Sequence, residues 1–177
     1  GVRVAGDVLT HGTGAGKGED FPSLLAQSTG WKVVNAGVPG DTASEARGRI
    51  AGLLQKHEPA LVIVELGGND FLRRQSASQV KEHLREIITA VRRSGAVPVL
   101  VSVPEFSGFG ARVGSLSDSP IYEELAEKER ILLIDDIFSE VLSDEDLRSD
   151  RIHPNARGYR KMADGSAAAL TEAGLKS

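Results

Sequence analysis

The sequence predicts an α/β fold, a five-stranded parallel sheet sandwiched between helical layers, in one domain spanning residues 1–177. Two observations carry this expectation. Short apolar runs rich in Val, Ile and Leu recur with little polar alternation, the pattern of strands covered on both faces. Segments with helical spacing separate them, and strands alternating with helices imply right-handed crossovers and a parallel sheet. With 177 residues and 40% hydrophobic content, the chain can bury one sizeable core and is too short for two ordinary domains.

The first run, "VRVAG" (2–6), gives way to the glycine-rich stretch "DVLTHGTGAGKG" (7–18) and then to helical spacing in "EDFPSLLAQS" (19–28). The second run is "WKVVNAGV" (31–38), followed by the helical segment "TASEARGRIAGLLQKH" (42–57). "ALVIVEL" (60–66) supplies the third strand, and "SASQVKEHLREIITAVRRSG" (76–95) the helix after it, with Ser76 or Ser78 as amino-terminal cap and Gly95 as carboxyl-terminal cap. "VPVLVSV" (97–103) and "ILLID" (131–135) complete the strands, with the helical "SPIYEELAEKER" (119–130) between them. A last helix, "ARGYRKMADGSAAALTEAGL" (156–175), has Gly174 at its carboxyl cap. The one long irregular segment, 104–120, carries Phe106 and Phe109, and its length fits either a functional loop or a solvated connection.

Composition excludes several function classes. A net charge of −4, scattered basic residues and 5% aromatic content provide neither the electrostatic footprint nor the stacking platform of a nucleic-acid binder. No apolar run approaches the roughly 18 residues of a membrane span, and nothing at Gly1 resembles a leader. A soluble chain is expected, compatible with an exported mature form or with the cytoplasm. The absence of cysteine removes disulfides, thiolate nucleophiles and Cys-ligated zinc together.

The glycine-rich stretch fails as a nucleotide cradle. A phosphate loop ending at Gly16-Lys17 needs Gly where the chain has His11 and Ser or Thr where it has Gly18. A dinucleotide fingerprint needs Gly where Lys17 or Glu19 stands. Its glycines therefore supply turns.

Open parallel sheets collect ligands beyond the carboxyl ends of their strands. There the sequence places "GDVLTHG" after strand one, "NAGVPGDT" after strand two, "ELGGND" after strand three, and "SDRIHPN" before the last helix. This ordered set resembles the SGNH hydrolases, or GDSL esterases, and within them the bacterial acyl thioesterase, arylesterase and lysophospholipase branch. The resemblance covers nearly the whole chain and implies a flavodoxin-like three-layer sandwich, agreeing with the strand and helix reading. It also implies roles. His153 matches the general base and Asp150 its orienting carboxylate. A carboxylate that accepts from one imidazole nitrogen leaves the other free to take a proton. Alone, Asp-x-x-His also marks a capped helix start; the three companion blocks favour chemistry. Gly40 and Asn69 match the oxyanion donors, one through a backbone N–H and one through a side-chain amide. His57 and His83, on polar helical stretches, are expected on the surface.

The family's first block is Gly-Asp-Ser-Leu, and its Ser attacks the acyl carbon. Here the block is Gly6-Asp7-Val8-Leu9, so Val8 occupies the nucleophile's position and offers only its backbone N–H to an oxyanion. Thr10 stands two residues away, beyond the roughly 1 Å tolerance of near-attack geometry. Three readings follow: an ester or thioester hydrolase altered at position 8 by engineering or descent, a binding protein for an acyl ligand, or direct activation of water by His153 and Asp150. The substrate is a small acyl ester or thioester, with short to medium chains implied by the resemblance. Its walls are expected from Phe71, Phe106 and Phe109. No cofactor and no metal are implied, and a monomer is the default.

Overall fold

The computed structural model describes residues 24–27, 42–104, 116, 118–150 and 153–174. Of the expected strands, those at 2–6 and 31–38 lie outside these residues. The other three form as the apolar runs dictate: β1 (Leu61–Val64), β2 (Val97–Val101) and β3 (Leu132–Ile134). They pair in the order β1-β2-β3, all parallel, with Ile63 opposite Val99 and Leu100 opposite Leu133. Every residue of β1 is buried, and β2 is buried except at Val97. That explains why neither run alternates in polarity.

Helices fill the crossovers. α1 (Ala43–His57) opens with a capping box: the Thr42 hydroxyl accepts the Glu45 N–H at 3.3 Å, and the Glu45 carboxylate accepts the Thr42 N–H at 3.2 Å. α2 (Gly68–Leu72) is a short turn of helix directly after β1. α3 (Ala77–Arg93) starts where the Ser76 hydroxyl accepts the Gln79 N–H at 3.3 Å, and its apolar stripe Val80, Leu84, Ile87, Ile88 and Val91 is buried. That spacing puts all five side chains on one face, each contributing about 1.5–3 kcal/mol by leaving water. α4 (Pro120–Glu129) follows Ser119, with proline in its first turn where a missing N–H costs nothing. α1 packs on α3, and α3 packs on both α4 and β2.

After β3 the chain makes two elements too short for periodicity to announce: α5 (Ile137–Leu142) and a 3-10 turn at Glu145–Leu147. α6 (Ala156–Glu172) then packs against both. The core gathers Tyr122, Phe138 and Tyr159, each 0% exposed, with the strands and the inner helix faces. Among the described residues no helix is long and apolar enough to cross a membrane.

The two ends of the irregular segment meet. Pro104 and Asp118 form an isolated antiparallel bridge, and the Ser119 N–H donates to the Val103 carbonyl at 3.1 Å. Asp118 is anchored in turn, because its carboxylate accepts the Asp136 N–H at 2.7 Å and the Ser139 hydroxyl.

Candidate active site

His153 sits between the 3-10 turn and α6, on a tight reversal built from the backbone. Arg148 and Pro154 form an antiparallel bridge, and the Ser149 N–H donates to the His153 carbonyl at 2.9 Å. The Asn155 N–H donates to the Leu147 carbonyl at 2.9 Å. Asn155 closes the reversal with its side chain: Oδ1 accepts the Gly158 N–H at 3.0 Å to cap α6, and Nδ2 donates to the Asp146 carbonyl at 2.9 Å.

This reversal turns the Asp150 carboxylate onto His153 twice. Oδ1 accepts the His153 backbone N–H at 2.8 Å, and the ring Nδ1 lies 3.0 Å from Oδ1 and 2.9 Å from Oδ2. An ionised carboxylate only accepts, so Nδ1 carries the hydrogen and Nε2 of a neutral ring is left with its lone pair. The imidazole is the more sheltered partner, with 17% of its side chain exposed against 57% for Asp150. A base held in one tautomer by a carboxylate, with the second nitrogen available, is equipped to take a proton and to be stabilised once it holds it.

Residues 4–161 match the family described as GDSL-like Lipase/Acylhydrolase. The chain belongs to this family. It is 34% identical over 172 residues to thioesterase 1/protease 1/lysophospholipase L1 of Escherichia coli strain K12, an alignment covering 96% of this chain and 82% of that protein. It is 28% identical over 169 residues to an arylesterase of Vibrio mimicus, covering 92% and 84% respectively. The crystal structure of TesA superposes with a TM-score of 0.83 at 26% identity, over 97% of this chain and 98% of that one. The architecture is therefore the family's α/β fold, with a parallel sheet and covering helices.

The third family block occupies the carboxyl end of β1. Gly67 has φ +122°, a conformation reserved for glycine, and a Cβ there would lie 2.0 Å from the Tyr122 Oη. The Tyr122 hydroxyl, reaching over from α4, donates to the Leu66 carbonyl. The turn that delivers Asn69 is thus held from above by a tyrosine and cannot admit a side chain at Gly67. Asn69 lies in α2; its side chain is outside the described part of the structure.

Asp70, the next residue, is 0% exposed. Its Oδ1 accepts the Ala43 N–H, the first free amide of α1, at 2.9 Å. Burial pushes its carboxyl upward, an effect opposed by the Ala43 N–H. Phe71, expected along the substrate wall, is 6% exposed and packs within the hydrophobic cluster. Val8, Gly40, Phe106 and Phe109 lie outside the described residues. His83, expected on a solvated face, is half-buried, with Nδ1 shut off from water.

Three contributors escape the sequence reading: Asp70, Tyr122 and Gly158. The acid beside Asn69 in "GGND" signals the first, and one of only two tyrosines in the chain signals the second. Gly158 gives no local signal, since its constraint is a contact with Leu147 across the reversal.

Proposed function

We propose that this chain is an SGNH-type carboxylic ester or thioester hydrolase for short to medium acyl substrates, with its serine route disabled or strongly impaired by Val8. The observation that carries the reading is the Asp150 carboxylate held against Nδ1 of His153 at 2.9 Å. The five-stranded, three-layer form of the sheet and a monomeric state belong to the same reading.

With a hydroxyl at position 8, Nε2 of His153 takes its proton as the oxygen attacks the acyl carbon. Asp150 stabilises the imidazolium, and the backbone N–H groups of residues 8 and 40 with the Asn69 amide receive the oxyanion. The imidazolium then protonates the leaving alcohol or thiol. A water deprotonated by the same ring releases the acid and restores the hydroxyl. Valine cannot begin this sequence. Loss of a serine nucleophile costs on the order of a millionfold in turnover, while binding and oxyanion stabilisation retain about a thousandfold to ten thousandfold over water.

The test is Val8→Ser, assayed beside the parent with p-nitrophenyl acetate and butyrate. A revertant that hydrolyses either ester at least about a thousandfold faster supports the reading, on the scale of the loss above. A revertant no faster than the parent overturns it. Val8 itself favours a second reading, a non-catalytic binding protein for acyl ligands. Tight calorimetric binding of a fatty acid or a lysophospholipid by the unmodified chain, with an inactive revertant, would establish that alternative.

A further inference from the structure

We propose that Asp70 is a positioning residue for Asn69, its buried carboxyl tying the turn that carries Asn69 to the first amide of α1. The inference rests on the donor role proposed for Asn69. The tether itself does not: the Asp70 Oδ1 to Ala43 N–H bond of 2.9 Å joins segments 27 residues apart.

One end of the tether adjoins the donor, since Asp70 directly follows Asn69. Both ends are also rigidly enclosed, with Asp70 and Ala43 at 0% exposure and Thr42 at 2%. A bond between two buried, packed groups fixes distance far better than one between surface chains, because neither partner has a water-filled alternative.

Fold stability alone does not account for this choice of residue. α1 already has its own cap, since Thr42 and Glu45 satisfy each other reciprocally. Asp70 instead brings a carboxylate into the interior, where Oδ2 is shut off from solvent and has no hydrogen-bond partner among the described residues. An ionisable group with one oxygen left over is a costly way to satisfy a single helix amide, which water or a neutral side chain can also do. What Asp70 adds is direction: an acceptor enclosed in the core and aimed at an N–H at the positive end of a helix. A donor that must be aimed at one oxygen before charge develops requires that kind of definition. On the β1 side, the Tyr122 bond to the Leu66 carbonyl holds the same turn from the opposite flank.

The experiment has two arms. In the first, backbone ¹⁵N relaxation is measured on the otherwise unmodified chain, comparing parent, Asp70→Ala, Asp70→Asn and, as a stability-matched core truncation, Ile88→Val. The order parameter at Asn69 is expected to fall in Asp70→Ala, to fall by a smaller amount in Asp70→Asn, which keeps an acceptor but lacks the parent carboxyl, and to stay unchanged in Ile88→Val. Unchanged order at Asn69 in the alanine variant overturns the proposal; where that variant does not fold, unchanged order in the asparagine variant overturns it.

The second arm repeats the series with Val8→Ser present. Asp70→Ala is expected to lower kcat about tenfold to a hundredfold with KM within about twofold, and Asp70→Asn to restore most of it. An equal loss of kcat in Ile88→Val, or a loss confined to KM, assigns Asp70 a purely structural role. An inactive Val8→Ser chain with loosened Asn69 in the first arm refutes the hydrolase reading and leaves the tether standing.

Discussion

Gly158→Ala is expected to destabilise the protein although it places a better helix former inside α6. Helix propensity alone favours alanine by about 0.8–1.0 kcal/mol. At Gly158, however, the new Cβ would sit 2.1 Å from the Leu147 carbonyl oxygen, 2.8 Å from Val141 Cγ1 and 2.9 Å from Pro154 Cβ. The nearest of these is backbone, so no side-chain rotation relieves it, and α6 must withdraw by roughly 1 Å to recover an ordinary contact. Overpacking of this kind costs about 1–3 kcal/mol. The Leu147 carbonyl also accepts the Asn155 N–H at 2.9 Å. Loosening that bond adds about 0.5–1.5 kcal/mol, so steric cost exceeds propensity and a net loss of about 0.5–3.5 kcal/mol is expected. Urea unfolding of the unmodified chain measures it, with Gly52→Ala in α1 as control, because nothing lies within 4 Å of a Cβ there. The control should gain up to about 1 kcal/mol. The reversal that withdraws carries Asp150 and His153, so with Val8→Ser present kcat should also fall about a hundredfold, the usual result of a 1 Å misplacement. A Gly158→Ala chain as stable as the parent refutes the packing argument, and one that is destabilised with full kcat refutes the link to the site.

Asp150→Ala, with Val8→Ser present, should lower kcat about ten-thousandfold because the ring loses its orienting acceptor. Unfolding free energy should change little, since the Asp150 side chain is 57% exposed; equal kcat would remove Asp150 from the mechanism. Tyr122→Phe leaves the Leu66 carbonyl without its hydroxyl donor and should cost about 1–3 kcal/mol in denaturant unfolding; an unchanged midpoint would show that the hydroxyl is dispensable. Asp70 sets a pH dependence. Burial raises its carboxyl in the folded chain, so the folded state holds the extra proton. Its contribution is therefore fully present below the unfolded-chain value and is lost as pH rises through the raised folded value. Relative to Asp70→Asn, which does not titrate, the parent should lose stability as pH rises above about 4; a flat difference between the two would refute the direction of the shift.

Much of the framework was legible because it depends on local patterns. β1, β2 and β3 are apolar runs bounded by turns, and α3 carries its stripe at helical spacing between Ser76 and Gly95. The caps at Ser76 and Gly95 follow from short-range hydrogen bonding and backbone freedom. α2 and α5, at five and six residues, are too short for a period to emerge, and their surroundings impose them. At the site, the Asp150–His153 pair was readable because its partners are three residues apart. The Asp70 bond to Ala43 joins positions 27 apart, and such a contact exists only once the sheet has assembled. Phe71, expected along the substrate wall from its place after Asn69, is 6% exposed, a burial that depends on tertiary packing and not on local pattern.

The closure between Pro104 and Asp118 works as a staple just past the end of β2. The Ser119 N–H bond to the Val103 carbonyl, with the Asp118 carboxylate accepting the Asp136 N–H and the Ser139 hydroxyl, ties the exit of β2, the entry to α4 and the start of α5 to one point. Because a single carboxylate links the two neighbouring helices, losing it would slacken them together, so this corner opens as one cooperative unit.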